Sequence, residues 1–331
     1  MKRAIVFALV LFLWSTGCIR RSQGGSETQT NLGENENARV ARTFRAYRDA
    51  RTTHRGGCVQ TGSGRKVMVT GFGLFSGVEK NISGVVAEAL SNATFLPSSV
   101  DTSAALKRSP GATVPLGRTD SGDHGAKVWN RSVTIDGQSV SMCIILLEVI
   151  WYQAAAIIAY EANAFRPEVL IMSGYAGGST LRFESGALNT AEHLSGYTNS
   201  GERQASNIPI ETFVLPTSTP GLVSPIFMTW NATGLADAVR PLVKLANGTL
   251  ATLGAPETDP SNIYICNNVS FVVLHALRGV PIHLAGGQIE LAPTALHVKA
   301  GFLHYPESHL DALAVARWTR VVAKAIATSL K

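Results

Sequence analysis

The fold is decided by residues 152–178, which read YQAAAIIAYEANAFRPEVLIMSGYAGG. The alanine-rich run Tyr152–Phe165 predicts a helix, which Arg166-Pro167 ends. The apolar run Glu168–Met172 then predicts a buried strand, and a glycine-rich loop follows at its C-terminal end. A helix, a proline, an apolar strand and a glycine loop in this order are typical of an α/β sheet.

Further elements are predicted on both sides of this stretch. Asp136-Gly137 is a strong two-residue turn signal and predicts a hairpin from Arg131 to Leu147. Residues 91–130 have weak periodicity and are predicted to form a loop-rich insertion. The other predicted elements are strands at Lys66–Phe72, Val280–Leu284 and Leu296–His304, and helices at Val85–Leu90, Leu235–Ala246 and Leu310–Leu330.

Charge is distributed unevenly along the 331 residues, whose formal net charge is +6. Lys2 and Arg3 contribute +2 and residues 19–65 contribute +5, which leaves −1 for residues 66–331. The basic excess therefore lies near the N-terminus. This distribution argues against a nucleic-acid surface on the main part of the chain.

The first 18 residues have the layout of an export signal. Lys2-Arg3 precedes the uncharged run Ala4–Trp14, which is too short to span a bilayer as a permanent helix. Small residues before Cys18 resemble a bacterial lipoprotein cleavage site, with Cys18 as the lipidated residue. We therefore predict an exported protein of the periplasm or cell surface that the lipid holds on the membrane. An ordinary cleaved signal peptide is the second interpretation, and a non-cleaved anchor is the third.

Residues 19–64 are predicted to be a flexible, arginine-rich tether. Polar residues dominate positions 22–38. Arginine then recurs at every third position from Arg39 to Arg51, a spacing that winds around a helix without forming a stripe. These arginines are interpreted as a solvated helix or linker, and the alternative is attraction to anionic lipid headgroups.

The four cysteines leave at least one thiol unpaired if Cys18 is lipidated, because three then remain. Cys58 and Cys143 could pair and leave Cys266 free. No cysteine and histidine spacing resembles a closed zinc site, so we expect no metal and no cofactor.

Cys266 lies in Ser261-Asn-Ile-Tyr-Ile-Cys-Asn-Asn-Val269, where a short β-type run ends and an apolar run opens a helix. Unpaired backbone N–H groups and the helix dipole at such a position lower the pKa of a thiol and favour a nucleophilic thiolate. The local pattern alone favours a buried structural cysteine.

A nucleophilic thiol needs a base and a group that orients the base. His275 is nine positions after Cys266 on the same predicted helix, about 180° around it, and cannot reach the thiol. His304 ends a predicted strand, which is where catalytic residues gather in α/β folds, and Glu184 likewise follows a glycine loop. The residues alone therefore give Cys266, His304 and Glu184 as a candidate set.

Four segments, in family order, resemble pyroglutamyl peptidase I, a family of cysteine peptidases that remove N-terminal pyroglutamate. The segments are Val69–Phe75 with Asn81, Gly174–Gly178 with Glu184, Ala187 and Asn189, Tyr264–Asn267 with Leu274-His275, and Ala300–Pro306. Together they extend over most of residues 66–331. The resemblance implies a single-domain three-layer α/β/α sandwich with a central mixed, mostly parallel sheet, at residues 65–331.

The resemblance also assigns roles to individual residues. It implies that Cys266 is the nucleophile, that His304 is the general base and later the acid, and that Glu184 orients His304. Phe72 and Phe75 match positions that hold the lactam ring, Asn81 matches a structural or pocket asparagine, and Tyr175 stands in the substrate loop. The expected partners are peptides with an N-terminal pyroglutamate, and the oligomeric state is left open.

The chain departs from the family pattern on the substrate side. Tyr175 replaces a glutamine, Ser179 stands where arginine is usual, and the run after Asn189 is different. Two other interpretations therefore stay open. One is an exported thiol amidase with a different capped-peptide substrate, and the other is a non-catalytic lipoprotein that binds peptide termini.

Overall fold

A central β-sheet organises the computed structural model, which describes residues 36–54, 56–73, 81–93, 95–96, 125–176, 180–190, 213–243, 252–253, 265–306 and 312–331. All of these residues belong to one unit, Asn35–Lys331. The predicted export signal with Cys18 lies outside the described residues, as do Phe75 and most of the insertion predicted at 91–130.

The helices and strands of the described residues are as follows. The helices are α1 (Glu36–His54), α2 (Ile82–Asn92), α3 (Gln153–Phe165), α4 (Ala232–Val239), α5 (Ile265–Leu277) and α6 (Ala312–Ser329). The strands are β1 (Arg65–Phe72), β2 (Phe95–Leu96), β3 (Ala126–Ile135), β4 (Gln138–Leu147), β5 (Val169–Tyr175), β6 (Thr180–Phe183), β7 (Gly186–Ala187), β8 (Ile226–Phe227), β9 (Thr252–Leu253), β10 (Ile282–Leu284), β11 (Ile289–Leu291) and β12 (Lys299–Tyr305).

The main sheet has the order β2-β3-β4-β1-β5-β12-β6-β9. Its four central strands, β4, β1, β5 and β12, are parallel, whereas β3 and β6 run antiparallel to the neighbours β4 and β12. Helices α2, α4 and α6 lie on one face, α3 and α5 lie on the other, and α1 packs on α3. The predicted three-layer α/β/α sandwich with a mixed, mostly parallel sheet is confirmed.

The sequence features that predicted the sheet have direct counterparts in the structure. Asp136 and Gly137 both have positive φ and join β3 to β4, as the two-residue hairpin turn requires. Arg166 ends α3 in the left-handed conformation immediately before Pro167. The central strands are almost continuously buried because helices cover both faces.

Several predicted elements have different bounds in the structure; the helix predicted at Val85–Leu90, for example, extends from Ile82 to Asn92. The strand predicted at Leu296–His304 begins only at Lys299 and ends at Tyr305. The helix predicted at Leu235–Ala246 begins at Ala232, and a 3-10 turn at Arg240–Leu242 follows it because Pro241 interrupts the α-helical hydrogen bonding.

The N-terminal region differs from the predicted tether. Residues 36–54 form α1, whose side chains Val40, Ala41, Phe44 and Tyr47 are buried in the core. Residues 56–64 are held by a disulfide between Cys58 and Cys143 in β4 and by hydrogen bonds to β3 and β4. The packed domain therefore includes residues 36–54 and 56–64. The proposed Cys58–Cys143 pairing is confirmed, and Cys266 is the free cysteine of the described residues.

Two kinds of site are not found in the described part of the chain. No helix there is long and apolar enough to cross a membrane. No cluster of three or more His, Cys, Asp or Glu side chains there is arranged to hold a metal ion.

Candidate active site

The Cys266 thiol lies in the first turn of α5, and the residue is only 8% exposed. The N–H groups of a first helical turn have no partner within the helix, and the helix dipole places partial positive charge there. Ile265, predicted as the end of a strand, is already helical. The residues before it lie outside the described part of the chain. The position favours a negatively charged sulfur and offers N–H donors beside it.

The thiol rests on the C-terminal half of β5, where a glycine makes room for it. A Cβ atom on Gly174 would lie 2.9 Å from Cys266 Sγ and 3.1 Å from the Phe302 ring. Gly174 is the direct neighbour of His304 in the pairing of β5 with β12. The close packing of sulfur on Gly174 therefore places the thiol beside His304.

Glu184 and His304 meet across the pairing of β6 with β12. The His304 Nδ1 and Glu184 Oε1 atoms are 2.7 Å apart, and both residues are at most 5% exposed. The Glu184 N–H donates to the carbonyl of Phe302, which puts its side chain on the same face of the sheet as that of His304. The carboxylate occupies Nδ1 and leaves Nε2 for the hydrogen bond with the Cys266 side chain.

The charges of this group favour a protonated imidazole. Burial lowers the pKa of His304, but the hydrogen bonds and charges of Cys266 and Glu184 outweigh burial and raise that pKa to about 10. Near neutral pH the arrangement therefore pairs the Cys266 sulfur with an imidazolium ion. Such a pair combines a nucleophile with a proton donor.

His275 does not join this group. Its Nδ1 is 2.8 Å from the carbonyl of Phe271, and its Nε2 accepts a hydrogen bond from the N–H of Val223 at 3.1 Å. Burial is the main reason that the pKa of His275 is lowered, so the ring stays neutral. The prediction that it cannot serve as the base of Cys266 is confirmed.

The predicted substrate-binding residues have different surroundings. Phe72 ends β1 and is buried, Tyr175 ends β5 and is half-buried, and Phe75 lies outside the described residues. Asn81 is the N-cap of α2, and its Oδ1 accepts hydrogen bonds from the N–H and the hydroxyl of Ser83. The Ser83 hydroxyl in turn accepts from the N–H of Phe72. Asn81 thus shapes the connection between β1 and α2, in line with the structural alternative.

Two residues near the site were not predicted from the sequence. Asn267 follows Cys266 and uses its amide to bind the backbone of Leu188 and Thr190. Trp230 donates its indole N–H to the carbonyl of Glu184 at 2.9 Å. The only signal for Trp230 was a large aromatic residue in a region of turns, whereas Asn267 was adjacent to Cys266 in the motif.

Comparison with known proteins gives similarities at the level of structure. No family model and no curated protein matches the sequence. The pyroglutamyl peptidase I of Bacillus amyloliquefaciens is similar in structure with 15% identity and a TM-score of 0.47, over 80% of this chain and 96% of that chain. The pyrrolidone carboxyl peptidase of Pyrococcus furiosus is similar with 17% identity and a TM-score of 0.48, over 80% of this chain and 98% of that chain.

Proposed function

We propose that this chain is a cysteine peptidase that hydrolyses the amide bond after an N-terminal pyroglutamyl residue. The observation that carries the proposal is the buried contact of 2.7 Å between His304 and Glu184, with the Cys266 thiol hydrogen-bonded to the same imidazole. A thiol, an imidazole and an orienting carboxylate in this order form the arrangement needed for nucleophilic acyl transfer.

The reaction follows from the positions of these three residues. The Cys266 thiolate attacks the pyroglutamyl carbonyl carbon, and unpaired N–H groups of the first turn of α5 would hold the oxyanion. His304 gives its proton to the departing amine nitrogen as the C–N bond breaks, which leaves a thioester on Cys266. His304 then takes a proton from water, the water oxygen attacks the thioester, and the C–S bond breaks to restore the thiolate.

Specificity for pyroglutamate is supported by the sequence resemblance and by the chemistry of the ring. A pyroglutamyl residue carries no charged amine, so an apolar site with a few backbone hydrogen bonds suits it. Phe72 and Phe75 match the positions that hold the ring, and of these two Phe72, at the C-terminal end of β1, lies in the described part of the chain. The substitutions at Tyr175 and Ser179 make the acyl group the part of the proposal that most needs a direct test.

The test uses purified Asn35–Lys331, since α1 belongs to the packed unit. A fluorogenic pyroglutamyl amide is expected to be hydrolysed, and the Cys266→Ser variant is expected to be inactive. A prolyl amide is the matched control because its five-membered ring carries a protonated amine in place of the lactam. No turnover of the pyroglutamyl amide by the wild-type unit would overturn the proposal. Hydrolysis of a fluorogenic N-acetyl amino acid amide, without hydrolysis of the pyroglutamyl amide, would instead support the thiol amidase alternative.

We also propose that the protein is exported and held on the membrane by a lipid on Cys18. The Cys58–Cys143 disulfide supports this proposal because disulfides persist in oxidising compartments. A radiolabelled fatty acid fed to producing cells is expected to label the wild-type chain but not Cys18→Ala. Equal labelling of both chains would refute the assignment of Cys18.

A further inference from the structure

We propose that Trp230 is a positioning residue, whose indole N–H holds the backbone of Glu184 so that the carboxylate meets His304. The inference rests on the proposed function for its kinetic test but not for its structural argument. It concerns the same site and adds a residue from a separate segment of the chain, between β8 and α4.

The main chain of Glu184 is fixed on both sides by different partners. Its N–H donates to the carbonyl of Phe302 at 2.9 Å, which continues the pairing of β6 with β12. β6 ends at Phe183, and the Glu184 carbonyl accepts the indole N–H of Trp230 at 2.9 Å. A tryptophan side chain therefore supplies the donor to the residue that follows the end of the strand.

Trp230 is itself held on β12, the strand that carries His304. The backbone N–H groups of Thr229 and Trp230 both donate to the carbonyl of Ala300, at 3.0 and 3.3 Å. The Thr229 hydroxyl also donates to the carbonyl of Val298 at 2.6 Å. Both partners of the histidine–carboxylate contact are thus positioned by β12, one directly and one through Trp230.

The indole fits because β12 has a glycine at the point of contact. A Cβ atom on Gly301 would lie 1.8 Å from Cε2 of Trp230, so the tryptophan ring lies directly against the backbone of Gly301. The ring of Phe183 packs on the other part of the indole, with centroids 5.4 Å apart. With only 6% of Trp230 exposed, its position is defined by packing as well as by the hydrogen bond.

The consequence for the site concerns the support of the imidazolium ion. Without the indole N–H, the buried carbonyl of Glu184 loses its hydrogen bond to Trp230. The backbone of Glu184 is then free to shift. A shift of the carboxylate away from Nδ1 weakens the stabilisation of the imidazolium. Cys266 and Glu184 are the titratable groups in contact with His304. A weaker imidazolium charge beside the sulfur therefore makes the thiolate harder to form, and alkylation of Cys266 should need a higher pH.

The experiment compares Trp230→Phe with Trp318→Phe. Trp318 is a fully buried tryptophan of α6, and within the described part of the chain its indole nitrogen has no hydrogen-bond partner. Both changes remove an indole and keep an aromatic ring, so they are matched in size. Gly301→Ala is a second variant, because its methyl group displaces the ring of Trp230 without changing that residue.

Two measurements are made on each full-length variant. The first is kcat and KM with the pyroglutamyl amide. The second is the pH dependence of Cys266 alkylation by iodoacetamide, followed by mass mapping of the Cys266 peptide. For Trp230→Phe we expect kcat to fall about tenfold with little change in KM, and the alkylation midpoint to rise by about half a pH unit. Gly301→Ala should change both in the same direction, and Trp318→Phe should change neither.

The outcomes separate this inference from the proposed function. An alkylation midpoint for Trp230→Phe equal to that of Trp318→Phe would overturn the positioning role, even if both variants were less stable. If the wild-type chain does not hydrolyse the amide, the proposed function fails. The alkylation profile then still decides whether Trp230 positions the carboxylate.

Discussion

Two buried glutamates lie in different parts of this molecule, and their partners differ in one chemical respect. Glu184 is 4% exposed and contacts His304, whereas Glu161 in α3 is fully buried and contacts Arg51 and Tyr47 of α1. A histidine can give up and regain a proton during a reaction, but an arginine cannot, and the pKa of Tyr47 is raised by its burial and by Glu161. Burial of a carboxylate therefore does not mark an active site, and the nature of its partner does.

The Glu161 cluster joins the N-terminal region to the body of the domain. Its Oε1 lies 2.9 Å from the Tyr47 hydroxyl and 2.6 Å from Arg51 Nε, and its Oε2 accepts the N–H of Cys58 at 2.8 Å. Burial raises the pKa of Glu161, while Cys58, Arg51 and Tyr47 act in the opposite direction. These contacts and the adjacent disulfide have a structural role, and none of them involves Cys266, His304 or Glu184.

The largest expected effect comes from removing the disulfide of the structural region. Its two cysteines are separated by 85 positions. Cross-linking a loop of that length restricts the unfolded chain and stabilises the fold by about 4 kcal/mol. Replacing both Cys58 and Cys143 by serine should therefore lower the free energy of unfolding by about this amount, measured by urea denaturation. The kcat of the folded fraction should stay unchanged, and a large loss of kcat would contradict the separation of the two regions.

The second prediction applies the same change to each glutamate. Glu184→Gln should lower kcat about a hundredfold, because the imidazolium loses its counter-charge. Glu161→Gln should leave kcat unchanged and lower the unfolding free energy by about 2 kcal/mol, because an amide N–H₂ must face donors in a buried site. Kinetics and urea denaturation on both variants check the two halves. Equal effects of the two changes on kcat would remove the distinction between the sites.

The placement of His304 beside Gly174 was predictable from sequence because the topology of parallel strands brings their C-terminal ends to one edge of the sheet. His304 and Gly174 are the penultimate residues of β12 and β5, and both positions are recognisable from apolar runs and glycines. Glu184 follows a strand that pairs with β12 in the antiparallel direction, so its placement depended on the resemblance as much as on the pattern.

The structural contact was not predictable in the same way. Glu161 is one polar residue in an alanine-rich helix, and its partners Tyr47 and Cys58 are 114 and 103 positions away. Helical periodicity gives the face of a residue but not its distant partner. In α1 the arginines are the most regular feature of the sequence. The apolar positions Val40, Phe44 and Tyr47 also follow helical spacing, and they are buried in the structure. A short apolar stripe among many charges therefore predicts a tether when the charges alone are considered.

The smallest expected effect, and the most specific one, is a change in pH dependence. His304 has a pKa raised to about 10, so its proton is available to the leaving amine until the pH approaches that value. The alkaline limb of kcat/KM should therefore lie near pH 10 in the wild type and should move down by about one pH unit or more in Glu184→Gln. Glu161→Gln should keep the wild-type limb, because Glu161 does not contact His304.

The same shift has a defined sign for stability. Because the pKa of His304 is higher in the folded chain than its ordinary value of 6.5, the folded state binds the proton more tightly. The stabilisation is complete below pH 6.5 and is lost as the pH rises towards 10. The unfolding free energy of the wild type should therefore decline over this range more than that of His304→Gln, while Glu161→Gln should decline as the wild type does. A wild-type slope equal to that of His304→Gln would mean that the imidazolium is not held by Cys266 and Glu184. The thiol site would then have to be treated, like the Glu161 cluster, as a structural contact.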